Sequence, residues 1–262
     1  MYDLAALETA LAGTSFAGKL HFSPTTGSTN SDAMQAARAG APHGSVYFAD
    51  EQTAGRGRGN HAWHSHAGEG LYVSAIVRLP IPAMRLPLLP LAAGLAAAEA
   101  IGKVSGLTVD LRWPNDLLIG PRKTGGILVE AGSASQGLPH AVAGIGINVH
   151  QRSFDPGLAT AATSLDLESG RTIDRQQLLI ALLQCLDRET AALLDPAACA
   201  AIPARLAAAS TWIEGRHVLV HGPQACSGIT AGLDENGFLL VRTPEGLVQV
   251  QTGGIRDAAG TR

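Results

Sequence analysis

Three cations draw attention by their settings: Arg56 and Arg58 in Gly55-Arg56-Gly57-Arg58-Gly59, and Lys123 at the head of Lys123-Thr124-Gly125-Gly126-Ile127-Leu128-Val129-Glu130. Glycine lets backbone amides come close to a bound molecule, and arginine offers a fixed fork of donors that fits phosphate or carboxylate. A lysine that opens a strand and is followed by two glycines sets an ammonium beside accessible backbone. Such a set would neutralise anions. The same residues also fit a solvated Gly/Arg loop, a segment for single-stranded nucleic acid, or an edge-strand lysine beside a bulge. A P-loop is excluded, because no Gly-Lys-Ser/Thr closes the loop and a strand follows it.

Other polar residues stand where uncharged, apolar ones would be expected. Ser28-Thr29-Asn30 opens a helix, where hydroxyls most often cap and less often join the helix amides in holding a small polar or anionic group. Arg112-Trp113-Pro114-Asn115-Asp116 ends a strand with a cation, a rigid turn, an amide and a carboxylate. There Pro114 aims the residues that follow, while Asn115 and Asp116 also suit a plain turn and Trp113 a core position. Gly144-Ile145-Gly146-Ile147-Asn148 sets an amide inside an apolar strand, where it needs partners, structural or liganded. His61, His64 and His66 have no acidic or cysteine companion at metal-site spacing, so they are not read as ligands.

The elements that must position these groups follow from periodicity. Helices are predicted from Leu4 to Leu11, from Ser28 through Arg38, from Leu88 to Lys103, from Asp174 to Leu194 and from Pro196 to before Ser210. Strands are predicted at Phe16–Phe22, Ser45–Ala49, Leu71–Arg78, Thr108–Arg112, Leu117–Ile119, Lys123–Val129 and Ala141–Val149. The long stretch from Asp50 to Trp63 has no apolar period, so it reads as a functional loop between two buried strands. Beyond Glu214 the texture changes to short strands at His217–His221, Ile229–Leu233, Phe238–Val241 and Leu247–Gln251, with a tight turn at Asp234-Glu235-Asn236-Gly237. The pattern predicts an α+β protein: a mixed sheet backed by helices over residues 1–213 and a small barrel-like β-domain over 214–262.

Composition narrows the function. A chain of 262 residues, 46% hydrophobic, has enough for a substantial core. A formal net charge of -3 argues against bulk nucleic-acid binding. Three cysteines without metal or redox spacing fit reduced thiols, no signal peptide is evident, and a cytoplasmic location is expected. The run from Leu86 to Ile101 holds two prolines and Glu99, so a core helix is expected and no membrane span.

Taken in order, Ser-Thr-Asn, Gly-Arg-Gly-Arg with its following Trp, Trp-Pro-Asn-Asp, Lys-Thr-Gly-Gly-Ile-Leu-Val-Glu and Gly-Ile-Asn resemble biotin protein ligases, from about Ser23 to Asn148. The C-terminal region resembles that family's SH3-like domain more loosely. The resemblance implies a class II synthetase-like catalytic domain and two reactions. Biotin and ATP, with Mg²⁺, give biotinyl-5′-adenylate and pyrophosphate; the biotinyl group then passes to a lysine of a biotin carboxyl carrier protein. It further implies that Ser28, Thr29 and Gln52 meet the biotin head group, that Asn30 belongs to the biotin- and adenylate-binding set, and that Gly55, Arg56, Gly57 and Arg58 form the loop closing over biotin and the adenylate. Trp63 would lie near bound biotin, and Lys123 would bridge the biotin carboxylate and α-phosphate. Asn115 and Asp116 would stand on the phosphate or metal side, with Gly126 and Asn148 close to the intermediate. Lys123, Arg58 and Asp116 form the implied catalytic set, Asp116 as orienter or acceptor of the acceptor-lysine proton.

Three departures qualify this pattern. Gly59-Asn60-His61 stands where many relatives have a further Arg-Gly-Arg, Arg112 where a lysine is common, and the tail from Thr252 to Asp257 is shorter than the family's usual ending, which weakens any adenine contact assigned to it. Rival readings are a lipoate or octanoyl ligase or transferase of related fold, a nucleotide-binding module without catalysis, and a biotin-sensing transcriptional regulator. The last would need a DNA-binding domain ahead of Ser15, so a monofunctional enzyme that binds no DNA, monomeric or homodimeric, is expected.

Overall fold

The computed structural model describes residues 2–132 and 140–258, with nothing said of the Asn60 side chain. Its main sheet joins seven strands: β1 (Leu20–Thr26), β2 (Val46–Gln52), β3 (Gly70–Val77), β4 (Asp110–Arg112), β5 (Asp116–Ile119), β6 (Arg122–Gly132) and β7 (His140–Asn148). Their spatial order is β1-β2-β3-β7-β6-β5-β4, parallel between β1 and β2 and antiparallel elsewhere, so the sheet is mixed.

Helices cover both faces, which is why every residue of β3 is buried. On one side α2 (Thr29–Arg38) lays Ala33, Met34 and Ala37 against Ile76 and Val142. On the other lie α3 (Leu89–Ser105), α5 (Arg175–Ala192) and α6 (Pro196–Ala208), with α1 (Leu4–Ala10) against α5. Leu178, Leu179, Leu182, Leu183 and Leu186 of α5 recur at helical spacing and enter the main core. Asp174 and Asp195 cap α5 and α6, and Gly106, at φ 76°, ends α3. Residues Ala83–Ser105 are long and apolar enough to cross a membrane, yet most of them are buried in this core.

A second sheet holds β8 (Glu214–His221), β9 (Cys226–Leu233), β10 (Leu239–Thr243), β11 (Gly246–Val250) and β12 (Gly254–Asp257), in the order β11-β10-β9-β8-β12. It meets the larger unit where Trp113 Nε1 donates to Gly237 O at 3.0 Å.

Three expectations need correction. The first strand starts at Leu20, not Phe16, because Gly18 turns the chain at φ 69°. A short helix, α4 (Leu165–Ser169), capped by Ser164, was not foreseen in an apolar-poor stretch. Nor was β12, whose pairing with β8 joins segments more than thirty residues apart.

Candidate active site

The site begins with a shallow place in the sheet. Side chains alternate along a strand, so Gly126, Leu128 and Glu130 of β6 share one face with Val142, Gly144 and Gly146 of β7. This is the α2 face. A Cβ at Gly144 would stand 2.4 Å from Asn30 Oδ1, and one at Gly146 only 2.7 Å from the Trp63 indole. One at Gly126 would lie 3.4 Å from both Trp63 and the Lys123 side chain. Glycine at these points leaves room for a half-open cavity.

The inner end is formed by the start of α2. Ser28 occupies the N-cap position but makes no capping hydrogen bond; its Oγ is buried and has no partner among the described residues. The capping reading of Ser28 is therefore corrected. The orphan Thr29 N–H is taken instead by Gln52 Oε1 at 2.9 Å, a contact that local sequence does not reveal. Thr29 Oγ1 also reaches Gln52 Oε1 at 3.1 Å and Ser74 Oγ at 2.9 Å. Asn30 donates from Nδ2 to Glu130 Oε2, leaving Oδ1 buried and, among the described residues, unpartnered. Trp63 Nε1 is likewise buried without a partner among the described residues. An isolated buried polar atom costs about 1–3 kcal/mol, so a cluster around one cavity marks a place for a polar ligand.

The mouth is covered by a tongue of residues 53–69. Its base is pinned by a bridge between Gln52 and Ser65, and its turn by Gly57 N to His61 O at 2.7 Å and Trp63 N to Gly55 O at 2.9 Å. Arg56 grips Glu130 with both terminal nitrogens, at 3.1 and 2.6 Å. Arg58 reaches across to the second sheet, donating to Gly253 O and, at 2.9 Å, to Thr252 Oγ1. Burial pushes its guanidinium below the usual arginine range, with Asp116 opposing. The tail segment Thr252-Gly253 thus takes part in the mouth.

Lys123 stands between tongue and turn. It is not an edge-strand lysine, since its backbone bonds to Ala161 O at 2.8 Å and from Thr163 N at 2.9 Å. The register of β5 and β6 slips between Leu117 and Leu118, leaving Thr124 as the bulged residue that re-aims Lys123. Its Nζ pairs with Asp116 Oδ1 and sits 5.6 Å from the Trp63 ring centroid. Arg112 takes the other oxygen of Asp116, by Nε at 3.0 Å and Nη2 at 2.7 Å. Burial raises the Asp116 carboxyl, but Lys123 and Arg112 outweigh it and hold the group below its ordinary value. A carboxylate with both oxygens engaged by cations is a poor base and a good anchor for Lys123.

Eleven residues singled out from the sequence line the cavity: Ser28, Thr29, Asn30, Gln52, Arg56, Gly57, Arg58, Trp63, Asn115, Lys123 and Gly126. Asn115 also secures the wall, giving Nδ2 to Ile127 O at 2.8 Å. Three lie outside it. Gly55 packs beneath Trp63 O and Ser65, Asp116 acts from behind Lys123, and Asn148 spends its Nδ2 on Thr163 O at 3.0 Å. Sequence reasoning did not assign Tyr72, Ser74, Leu128, Gly144, Ile145 or Gly146, all in the wall. The alternate glycines of Gly144-Ile145-Gly146 were the available signal, since spacing by two places both on one face. Among the described residues no group of three or more His, Cys, Asp and Glu could hold a metal ion.

A mixed α+β sheet carrying a half-open cavity, polar at its inner end and cationic at its mouth, defines a small-molecule-binding protein suited to an anionic ligand. The chain belongs to the Biotin/lipoate A/B protein ligase family, whose model matches residues 23–148, and within it to the biotin protein ligases. It is 36% identical to the bifunctional ligase/repressor BirA of Bacillus spizizenii, over 87% of this chain and 70% of that protein. It is 33% identical to the biotin–[acetyl-CoA-carboxylase] ligase of Mycobacterium tuberculosis, over 88% of this chain and 85% of that one. The biotin protein ligase from Aquifex aeolicus, solved in complex with biotin and ATP, superposes with a TM-score of 0.78 at 27% identity, covering 91% of this chain and 98% of that one.

Proposed function

We propose that this protein is an ATP-dependent biotin protein ligase, which makes biotinyl-5′-adenylate and passes biotin to a lysine of a biotin carboxyl carrier protein. The observation that carries the reading is the polarity of one cavity. Its inner end holds the buried, unpartnered Ser28 Oγ and Asn30 Oδ1, and its mouth holds Lys123 and Arg58. A ureido group has N–H donors and a carbonyl acceptor for the first pair; a carboxylate at the far end of the same molecule would face the cations.

In the first step a carboxylate oxygen of biotin bonds to the α-phosphorus of ATP, and the bond to the β-phosphate oxygen breaks to release pyrophosphate. The carboxylate is already ionised, so no base is required. Lys123, held by Asp116, offsets the repulsion between the two anions, and Arg58 closes the tongue over them. In the second step the neutral acceptor amine attacks the acyl carbon, the bond from that carbon to the phosphate oxygen breaks, AMP leaves and the amine proton passes to solvent. Asp116 serves here as an orienter of Lys123 rather than as the proton acceptor, since both its oxygens are taken. Magnesium would arrive with the triphosphate and supply further charge neutralisation. The residues present fit that role only loosely: Asp116 is the nearest carboxylate to Lys123 and is already paired.

The second sheet we take as an SH3-like domain, residues 214–262, joined to a class II synthetase-like catalytic domain of residues 1–213. The Arg58 contact to Thr252 and Gly253 supports a role for it in tongue closure. Biotin-dependent pyrophosphate–ATP exchange, run beside lipoate and octanoate, tests the reading. Exchange with biotin alone is expected; exchange with lipoate or octanoate and none with biotin would overturn it in favour of the rival acid.

A further inference from the structure

We propose that Glu130 is a positioning residue that fixes which way round the Asn30 amide sits, and thereby gives the cavity an acceptor that selects a ligand N–H. This rests on the biotin-ligase reading of the same cavity. Glu130 follows Leu128 on the cavity face of β6, opposite Val142 of β7, while Asn30 lies in the first turn of α2. The two meet only because the helix start crosses that strand pair.

The orientation follows from chemistry rather than from atom labels. An ionised carboxylate only accepts hydrogen bonds, so the amide must turn its NH₂ toward Glu130 and its carbonyl oxygen away. Asn30 Nδ2 accordingly donates to Glu130 Oε2. Oδ1 then stands over Gly144, in the cavity wall, buried and without a partner among the described residues. A ligand atom that meets it must be a donor. A ureido nitrogen qualifies; a dithiolane ring or an alkyl chain offers nothing and would leave the oxygen unsatisfied. Glu130 also accepts from two nitrogens of Arg56, so one carboxylate ties the orientation of the head-group end to the tongue at the mouth.

The test measures equilibrium binding to the full chain of biotin and of its two mono-N-methyl ureido derivatives, each of which lacks one N–H. In the wild type, biotin should bind on the order of tenfold or more tighter than one of the two derivatives. Asn30→Leu should weaken biotin by a similar factor and bring that ratio close to one. Because the ratio is taken within one variant, general damage to the fold cancels. Asn30→Asp alone sets two carboxylates against each other and should also lose biotin. Asn30→Asp combined with Glu130→Gln restores a donor facing an acceptor, and should recover both affinity and ratio.

An unchanged ratio in Asn30→Leu would overturn the proposal. A ratio lost in Asn30→Leu but not recovered in the double variant would remove Glu130 from it. Failure of the wild type to bind biotin at all is a different result, and would sink the ligase reading itself.

Discussion

Lys123→Met removes the charge that the reaction needs while keeping most of the side-chain volume. Lys123 Nζ is anchored by Asp116 and 27% of its side chain is exposed, so it is neither fully solvated nor buried. A unit charge about 4 Å from a developing anion is worth about 4 kcal/mol at an effective dielectric of about 20. Partial exposure and the adjacent Asp116 charge reduce this, leaving about 2.5–3 kcal/mol in the transition state, or about a hundredfold in rate. Biotin affinity should change much less, because the contacts at Ser28 and Asn30 lie at the inner end of the cavity, at the start of α2. The assay pairs biotin-dependent pyrophosphate–ATP exchange with equilibrium biotin binding, and with a thermal melt to check the fold. Arg112 still holds Asp116, so the melt should fall by only a few degrees. Exchange within about threefold of wild type, in a folded variant, would refute the assignment of Lys123 as the neutralising cation.

Three further outcomes follow from the geometry. Asp116→Asn should lose stability at neutral pH; because the folded-state pKa of Asp116 is depressed, its contribution is present above the ordinary value of 3.8 and lost as pH falls through the folded one, so the two proteins should converge in denaturant melts only under acid conditions. Trypsin should cut at Arg56 or Arg58 more slowly once the adenylate is bound, and Arg58→Ala, freed from Thr252 and Gly253, should release adenylate faster and label bystander lysines; equal cleavage and unchanged retention would count against the tongue as a lid. Gly146→Ala would place a methyl 2.7 Å from the Trp63 indole and push that ring into the cavity, raising the biotin KM by on the order of tenfold with a smaller change in kcat; an unaltered KM would show that Trp63 does not border the ligand.

Local periodicity was enough for most elements. The leucines of α5 repeat along one helix face, and the apolar runs of β3 and β7 are short and bounded by turn residues, so their types were legible in the sequence. The order of the chemistry-bearing segments also pointed to the ligase family before any geometry was known. What local pattern does not encode is which distant atom satisfies a given polar group. Ser28 looked like a cap, yet Gln52 meets the Thr29 amide and leaves the Ser28 hydroxyl free within the cavity. Asn148 read as either a structural amide or a ligand contact, and only the fold shows Thr163 O as the partner of its Nδ2. Glu130 closes the Lys-Thr-Gly-Gly-Ile-Leu-Val-Glu segment, but nothing local gave it a role; only strand register and the crossing of α2 bring it to Asn30, 100 residues away in sequence. A buried polar atom must find a partner somewhere, but tertiary packing alone decides which partners are within reach and which atoms are left for a ligand.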